Sequence, residues 1–127
     1  GDVMILGVGC DIIRVARVAR AAEKEHFLTR VYTPAERAYA MQRGAGCAAS
    51  LAARFAGKEA VLKAFGTGLR GGTLHDVEIL PDALGAPEVH LHGFFAARAA
   101  EMGVTRVWVT LSHEKEYATA YCMLEGQ

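Results

Sequence analysis

One stretch constrains this chain more than any other: Arg54 to Gly68, RFAGKEAVLKAFGTG, which reads as a helix running into a glycine turn. At about 100 degrees per residue, Leu51, Phe55, Leu62 and Phe65 fall within roughly a quarter turn of one another and define an apolar face. A chain carrying such a helix must fold a partner surface over that face. Arg54 lies at one border of the stripe, and Glu59 and, further round, Lys63 lie at the other. These borders are half-sheltered, where charge is neither fully solvated nor fully buried. Glu59 and Lys63 can be read as a surface i, i+4 pair contributing a few tenths of a kcal/mol. They can also be read as separate tools, a carboxylate for a metal ion and a cation for a phosphate. Gly66, Thr67, Gly68, Gly71 and Gly72 follow. They either cap and turn the helix or free backbone N–H groups to approach an anion.

At 127 residues, with 52% hydrophobic content and only 3 prolines, the chain is expected to form a single domain over 1–127 with a core of its own. Its 14 basic and 14 acidic residues balance. No whole-chain field would therefore drive it onto nucleic acid or an anionic membrane, and recognition by charge must come from local patches. Cys10, Cys47 and Cys122 are an odd number without metal-like spacing, which suits buried thiols in a reducing cytosol. No apolar run approaches the roughly 20 residues of a membrane span, and no signal peptide is visible, so a soluble, cytoplasmic protein is expected.

The pattern along the chain predicts a short strand from Met4 to Gly9, with Asp11 just beyond it in GVGCDI. A helix is expected from Ile13 to about His26, carrying Arg14, Arg17, Arg20 and Lys24 as a basic stripe. Thr33, Pro34 and Glu36 form an N-cap, first turn and capping-box acid, opening a helix that ends at Gly44 and Gly46. The signature helix follows from about Ala48 to Phe65. His75 to Leu80 and Glu88 to His92 form a hairpin through PDALGAP. Gly93 to Met102 is a helix stopped by Gly103, and Val104 to Leu111 and Ala118 to Leu124 are strands joined by SHEKEY. Helices mixed with meandering strands indicate an α+β fold with a mostly antiparallel sheet around a long central helix.

Asp11 can cap the helix after it, or combine with Glu59, since magnesium takes two carboxylates together with waters and phosphate oxygens rather than an all-protein cage. Ser112 and His113 suggest a hydrolase pair, but neighbours on a strand point to opposite faces and cannot act directly on each other. His90 and His92 share a strand face without a third ligand in sight, which reads as an exposed face. The basic stripe is a solvated helix face or a dock for an acidic helical partner. Nucleic acid is disfavoured because no aromatics interleave with the basic residues.

GVGCDI, RFAGKEAVLKAFGTG, the GAP before a strand and LSHEKEYATA, in this order, resemble the holo-acyl-carrier-protein synthase family of phosphopantetheinyl transferases over nearly the whole chain. The resemblance implies the 4′-phosphopantetheinyl transferase-like fold. It also implies transfer of the phosphopantetheine arm from coenzyme A to a serine of an apo acyl carrier protein, with release of adenosine 3′,5′-bisphosphate. By the same resemblance Asp11 and Glu59 are the Mg2+ ligands, and Arg54, Lys63, Gly66, Pro87 and His113 line the coenzyme A site. Arg14 and Arg17 would meet the carrier protein, and the site would lie between subunits of a homotrimer. The attacking hydroxyl belongs to the partner, which fits a chain whose serines stand in no nucleophile motif. Asp11, Glu59 and Lys63 then carry the reaction by positioning and charge stabilisation. Two other functions share these features: a noncatalytic module binding an acidic carrier-type protein, and a magnesium-dependent nucleotide-phosphate hydrolase.

Overall fold

In the computed structural model, which describes residues 2–127, the N-terminal apolar run does not stop at Gly9. It continues as strand β1 from Met4 to Arg14. The elements then follow in order: α1 (Val15–Ala21), α2 (Glu25–Val31), α3 (Pro34–Met41), α4 (Cys47–Phe65), β2 (Val77–Pro81), β3 (Pro87–Leu91), α5 (Gly93–Met102), β4 (Val104–His113) and β5 (Tyr117–Gly126). The architecture is the α+β one the sequence indicates. The strands form two antiparallel sheets, one of three strands in the order β1-β5-β4 and one hairpin of β2 with β3.

The longer β1 corrects the reading of Asp11 as a helix cap. Asp11 sits inside the strand, opposite Ala120 of β5, with its side chain turned to the inner face. The expected helix from Ile13 to His26 is two helices, because the chain turns at Ala22 to Lys24 without a glycine or proline to mark the break. Arg14 therefore ends a strand instead of opening the basic helix. At α3 the expected capping box is present, with Thr33 Oγ1 accepting from the Glu36 N–H and Glu36 Oε1 accepting from the Thr33 N–H.

Helix α4 is the centre of the molecule. It packs on β1, β5 and β4 on one side and on α1, α3 and β2 on others. Its alanine-rich face lies so close to β1 that a Cβ on Gly9 would stand 2.1 Å from the Ala60 carbonyl oxygen. The glycines of GVGCD thus serve helix-on-strand approach. Between Ser50 and Phe65 every residue is buried except Phe55 and Glu59, which are half-buried, and Lys63, which is exposed. These three are spaced at i, i+4 and i+8, so the helix is open along a single line. Phe55, expected within the buried face, belongs to that line. Gly66 ends the helix at φ 75°, a left-handed cap that glycine adopts without strain, bonding back to Leu62 and Lys63.

Candidate active site

The open line of α4 faces a cleft of about 560 Å³ between α1, α2 and the segment after Gly66. That volume is in the range of small-molecule sites. Asp11 from β1 and Glu59 from α4 stand at one end, and Phe27, Val31, Phe55, Leu69 and Leu74 form apolar walls. Phe27 stacks on Phe55 with ring centroids 6.1 Å apart and meets Tyr32 edge-on at 6.0 Å. The Tyr32 hydroxyl donates to the Leu51 carbonyl at 2.7 Å. This ladder fixes α2 against α4 and holds the cleft open.

Lys63 is not paired with Glu59. Its Nζ lies 3.1 Å from Asp11 Oδ1 and donates to the Cys10 carbonyl at 3.0 Å. The i, i+4 surface pair does not form, and the two side chains serve different places. Partial burial holds the Glu59 carboxyl above the usual carboxylate range, and the nearby Asp11 charge adds to this against the opposing pull of Lys63. Two carboxylates brought together at this cost suit a cation between them. Among the described residues no group of three or more His, Cys, Asp or Glu could hold a metal alone. The donor set therefore fits magnesium, which keeps waters and takes phosphate oxygens, and does not fit zinc.

Three of the residues expected at the coenzyme A site lie elsewhere. Arg54, Pro87 and His113 line a second hollow of about 180 Å³ with Tyr39, Arg43 and Ser50. This hollow shares no lining residue with the first. Arg54 is 6% exposed, a correction to its expected place at a half-sheltered border. Its Nε donates to the Ile79 carbonyl at 3.1 Å, its Nη1 donates to Ser50 Oγ at 3.2 Å, and its guanidinium lies 4.4 Å from the Tyr39 ring. His113 is the last residue of β4 and exposed. The ionisable groups of this hollow are two arginines, a histidine and a tyrosine, with no carboxylate.

The family model described as the 4′-phosphopantetheinyl transferase superfamily matches residues 7–122. The chain belongs to that superfamily. Within it the chain is 44% identical over 125 residues to the holo-[acyl-carrier-protein] synthase of Koribacter versatilis, covering 96% of this chain and 99% of that one. It is 46% identical over 125 residues to that of Desulforudis audaxviator, covering 97% and 95%. Among solved structures, the Plasmodium yoelii acyl carrier protein synthase with ADP bound superposes with a TM-score of 0.88 at 32% identity, over 100% of this chain and 99% of that one. The Bacillus anthracis holo-(acyl-carrier-protein) synthase in complex with CoA (3′,5′-ADP) superposes with a TM-score of 0.81 at 32% identity, over 98% and 99%. The chain is accordingly an enzyme, a phosphopantetheinyl transferase of the holo-acyl-carrier-protein synthase type.

For a phosphopantetheinyl transferase, the basic surface beside the main cleft is equally relevant. Arg17 lines the cleft itself, and Arg20, Lys24 and Arg30 continue from it along an adjoining groove. Arg14 lies 5.0 Å from the Tyr117 ring. Arg30 comes from α2 and was not visible as part of the stripe, since it joins only when the two helices fold back on each other. His90 and His92 pair with Glu88 and Glu78 at 3.1 and 3.0 Å, away from both hollows. Cys10 is exposed, against the expectation of a buried thiol, and the three cysteines are unpaired.

Proposed function

We propose that this phosphopantetheinyl transferase moves the 4′-phosphopantetheine arm of coenzyme A to a serine of an apo acyl carrier protein. The reaction is magnesium-dependent and releases adenosine 3′,5′-bisphosphate, and residues 1–127 act as one synthase domain. The observation that carries this reading is Asp11 and Glu59 at the charged end of a cleft with apolar walls, with Lys63 paired to Asp11 from the adjoining surface. The charged end suits a pyrophosphate and the walls suit the arm. Asp11 and Glu59 would hold magnesium, which when bound polarises the phosphoryl oxygens.

The serine oxygen forms a bond to the arm's phosphorus while the bond to the bridging oxygen breaks. Lys63 stands ready to balance charge on the departing bisphosphate, and Glu59 is the candidate to take the serine proton through a water. The protein's contribution is positioning and fixed charge. Arg14 and Arg17 would meet an acidic helix of the carrier beside the cleft. The turn at Gly66 lies at the same end of α4 as Lys63.

Arg54, Pro87 and His113 enter through assembly. Their hollow is too small to enclose a nucleotide. A homotrimer that sets it against the Asp11 and Glu59 cleft of a neighbouring copy would complete one coenzyme A site from two chains. The outer face of the three-stranded sheet supports association with copies of this chain. There Val8, Met123 and Trp108 lie in register, as do Cys10 and Tyr121, beside Ile12. Val8, Ile12, Trp108 and Tyr121 are each exposed, an apolar surface of the kind that marks interfaces. The unpaired thiols suit a reducing cytoplasm.

Incubation with coenzyme A, magnesium and an apo carrier protein should raise the carrier's mass by about 340 Da, the formula mass of the transferred phosphoryl arm. Cleaved coenzyme A with an unchanged carrier would instead make the protein a hydrolase. Carrier binding without either product would make it a noncatalytic module.

A further inference from the structure

Two charged side chains that the reaction does not use are both fully buried. Glu36 of α3 and Lys58 of α4 have no exposed surface, and their carboxylate and ammonium lie 2.8 Å apart. Lys58 Nζ also donates to the carbonyls of Leu74 and Val77, each at 2.7 Å. Glu36 accepts from the Thr33 N–H at 2.9 Å and from the Ile79 N–H at 2.8 Å. Every hydrogen-bonding position of the ammonium is used.

These bonds fall on one line. β3 occupies one edge of β2; the other edge has no strand. In its place Lys58 takes the Val77 carbonyl, Glu36 takes the Ile79 N–H, and Arg54, one turn before Lys58, donates to the Ile79 carbonyl at 3.1 Å. Three side chains from two helices stand in for a third strand. Stability alone does not account for the arrangement, because a buried ion pair is frequently no more stabilising than apolar residues of the same volume. What charge adds is direction, since each donor and acceptor selects one backbone group.

The attached segments are those that build both hollows. Leu74 is a wall of the main cleft beside Glu59, while Gly85 and Pro87 at the end of the hairpin line the hollow with Arg54. We propose that Glu36 and Lys58 are positioning residues for coenzyme A: with Arg54 they staple the free edge of β2 to α3 and α4, and so fix the hairpin and the cleft wall relative to Glu59. The inference rests on the transferase reading above. Neither residue touches substrate; each acts through the segments it holds.

The test replaces both residues at once, Glu36→Leu with Lys58→Met, so that no charge is left buried alone. Thermal melting, the Kd of coenzyme A by calorimetry and the KM of each substrate are compared with the parent. The double variant should melt cooperatively but at a lower temperature, because the Leu74 and Val77 carbonyls and the Thr33 and Ile79 N–H groups lose their partners, with Kd and KM for coenzyme A raised on the order of tenfold. Its KM for the carrier should be unchanged, because the proposed carrier contact, at the end of β1 and on α1 and α2, lies away from β2. A folded double variant that binds coenzyme A as the parent does would overturn the proposal and leave the pair as packing. Should that variant not fold, Glu36→Gln with Lys58→Met decides: it leaves no buried charge and keeps one acceptor for the backbone N–H groups that Glu36 held, and a rise of about threefold in the coenzyme A Kd is expected. A parental Kd there overturns the proposal equally. A parent that binds coenzyme A without transferring the arm refutes the transferase reading while the Kd comparison still judges this one. A parent that does not bind coenzyme A refutes both.

Discussion

Glu59 is the residue in which local physics and function meet most directly. Its carboxyl is held above the usual range by partial burial and by Asp11, so the folded, metal-free protein holds that proton more tightly than the unfolded chain does. Stability must then fall as pH rises from the ordinary carboxylate range through the folded-state value. Glu59→Gln removes this slope. Urea midpoints measured against pH without metal should show a decline in the parent that is flattened in the variant. Added magnesium should raise the parent's melting temperature and leave that of Glu59→Gln unchanged, with a loss of transfer rate of at least about a hundredfold. Full activity in Glu59→Gln would remove the metal assignment. At this scale the sequence was partly legible. Residue type and motif single out Asp11 and Glu59, which the fold brings to one cleft, whereas the role of Lys58 is not read from them although helical spacing sets it between Leu51 and Phe65 in the middle of the apolar stripe. A lysine there demands a buried acid, and the capping-box Glu36 was that acid with a second task.

Elements were legible where periodicity was strong and failed where the chain turns without punctuation. The central helix, the β2 and β3 hairpin, α5 and the last two strands lie within a few residues of their expected bounds. β1 runs five residues past Gly9 because Cys10 to Arg14 pair with Tyr117 to Tyr121, a pairing decided by distant sequence. The break between α1 and α2 has no glycine or proline, and it is made by turns in which Glu23 and Lys24 donate to Arg20 and Ala21. That fold-back brings Arg30 beside Arg17, Arg20 and Lys24, so the dock proposed for the carrier is a two-helix surface. Arg14→Glu should raise the KM for the carrier on the order of tenfold while leaving the coenzyme A Kd unchanged, whereas Arg17→Glu, whose side chain lines the main cleft, should raise both. Steady-state kinetics with each substrate varied in turn would check this. An equal rise in both constants for Arg14→Glu would mean that the end of β1 contributes to the coenzyme A site.

Over the whole molecule, the sequence motifs name one site and the fold divides it into two. Asp11 and Glu59 share one hollow, with Lys63 paired to Asp11 beside it; Arg54, Pro87 and His113 share another. No pattern within one chain reveals this division, which the proposed assembly would resolve by letting a second copy supply one of the two hollows. Activity should accordingly require association through the outer sheet face. Trp108→Glu places a charge on that face, on the edge strand β4, and light scattering should show a smaller species with transfer activity reduced at least about tenfold. A fully active monomer would show that one chain suffices.

That substitution also touches the chain's optical signature. Trp108 is its one tryptophan, 42% exposed on the outer sheet face, with its ring 3.8 Å from the Arg106 guanidinium and its indole N–H directed to Glu125 at 3.4 Å. In the proposed assembly, indole emission would therefore report on the neighbour more than on the core. Diluting the protein should shift the emission to longer wavelength while far-ultraviolet circular dichroism stays constant, so that subunit separation can be followed in real time without any label.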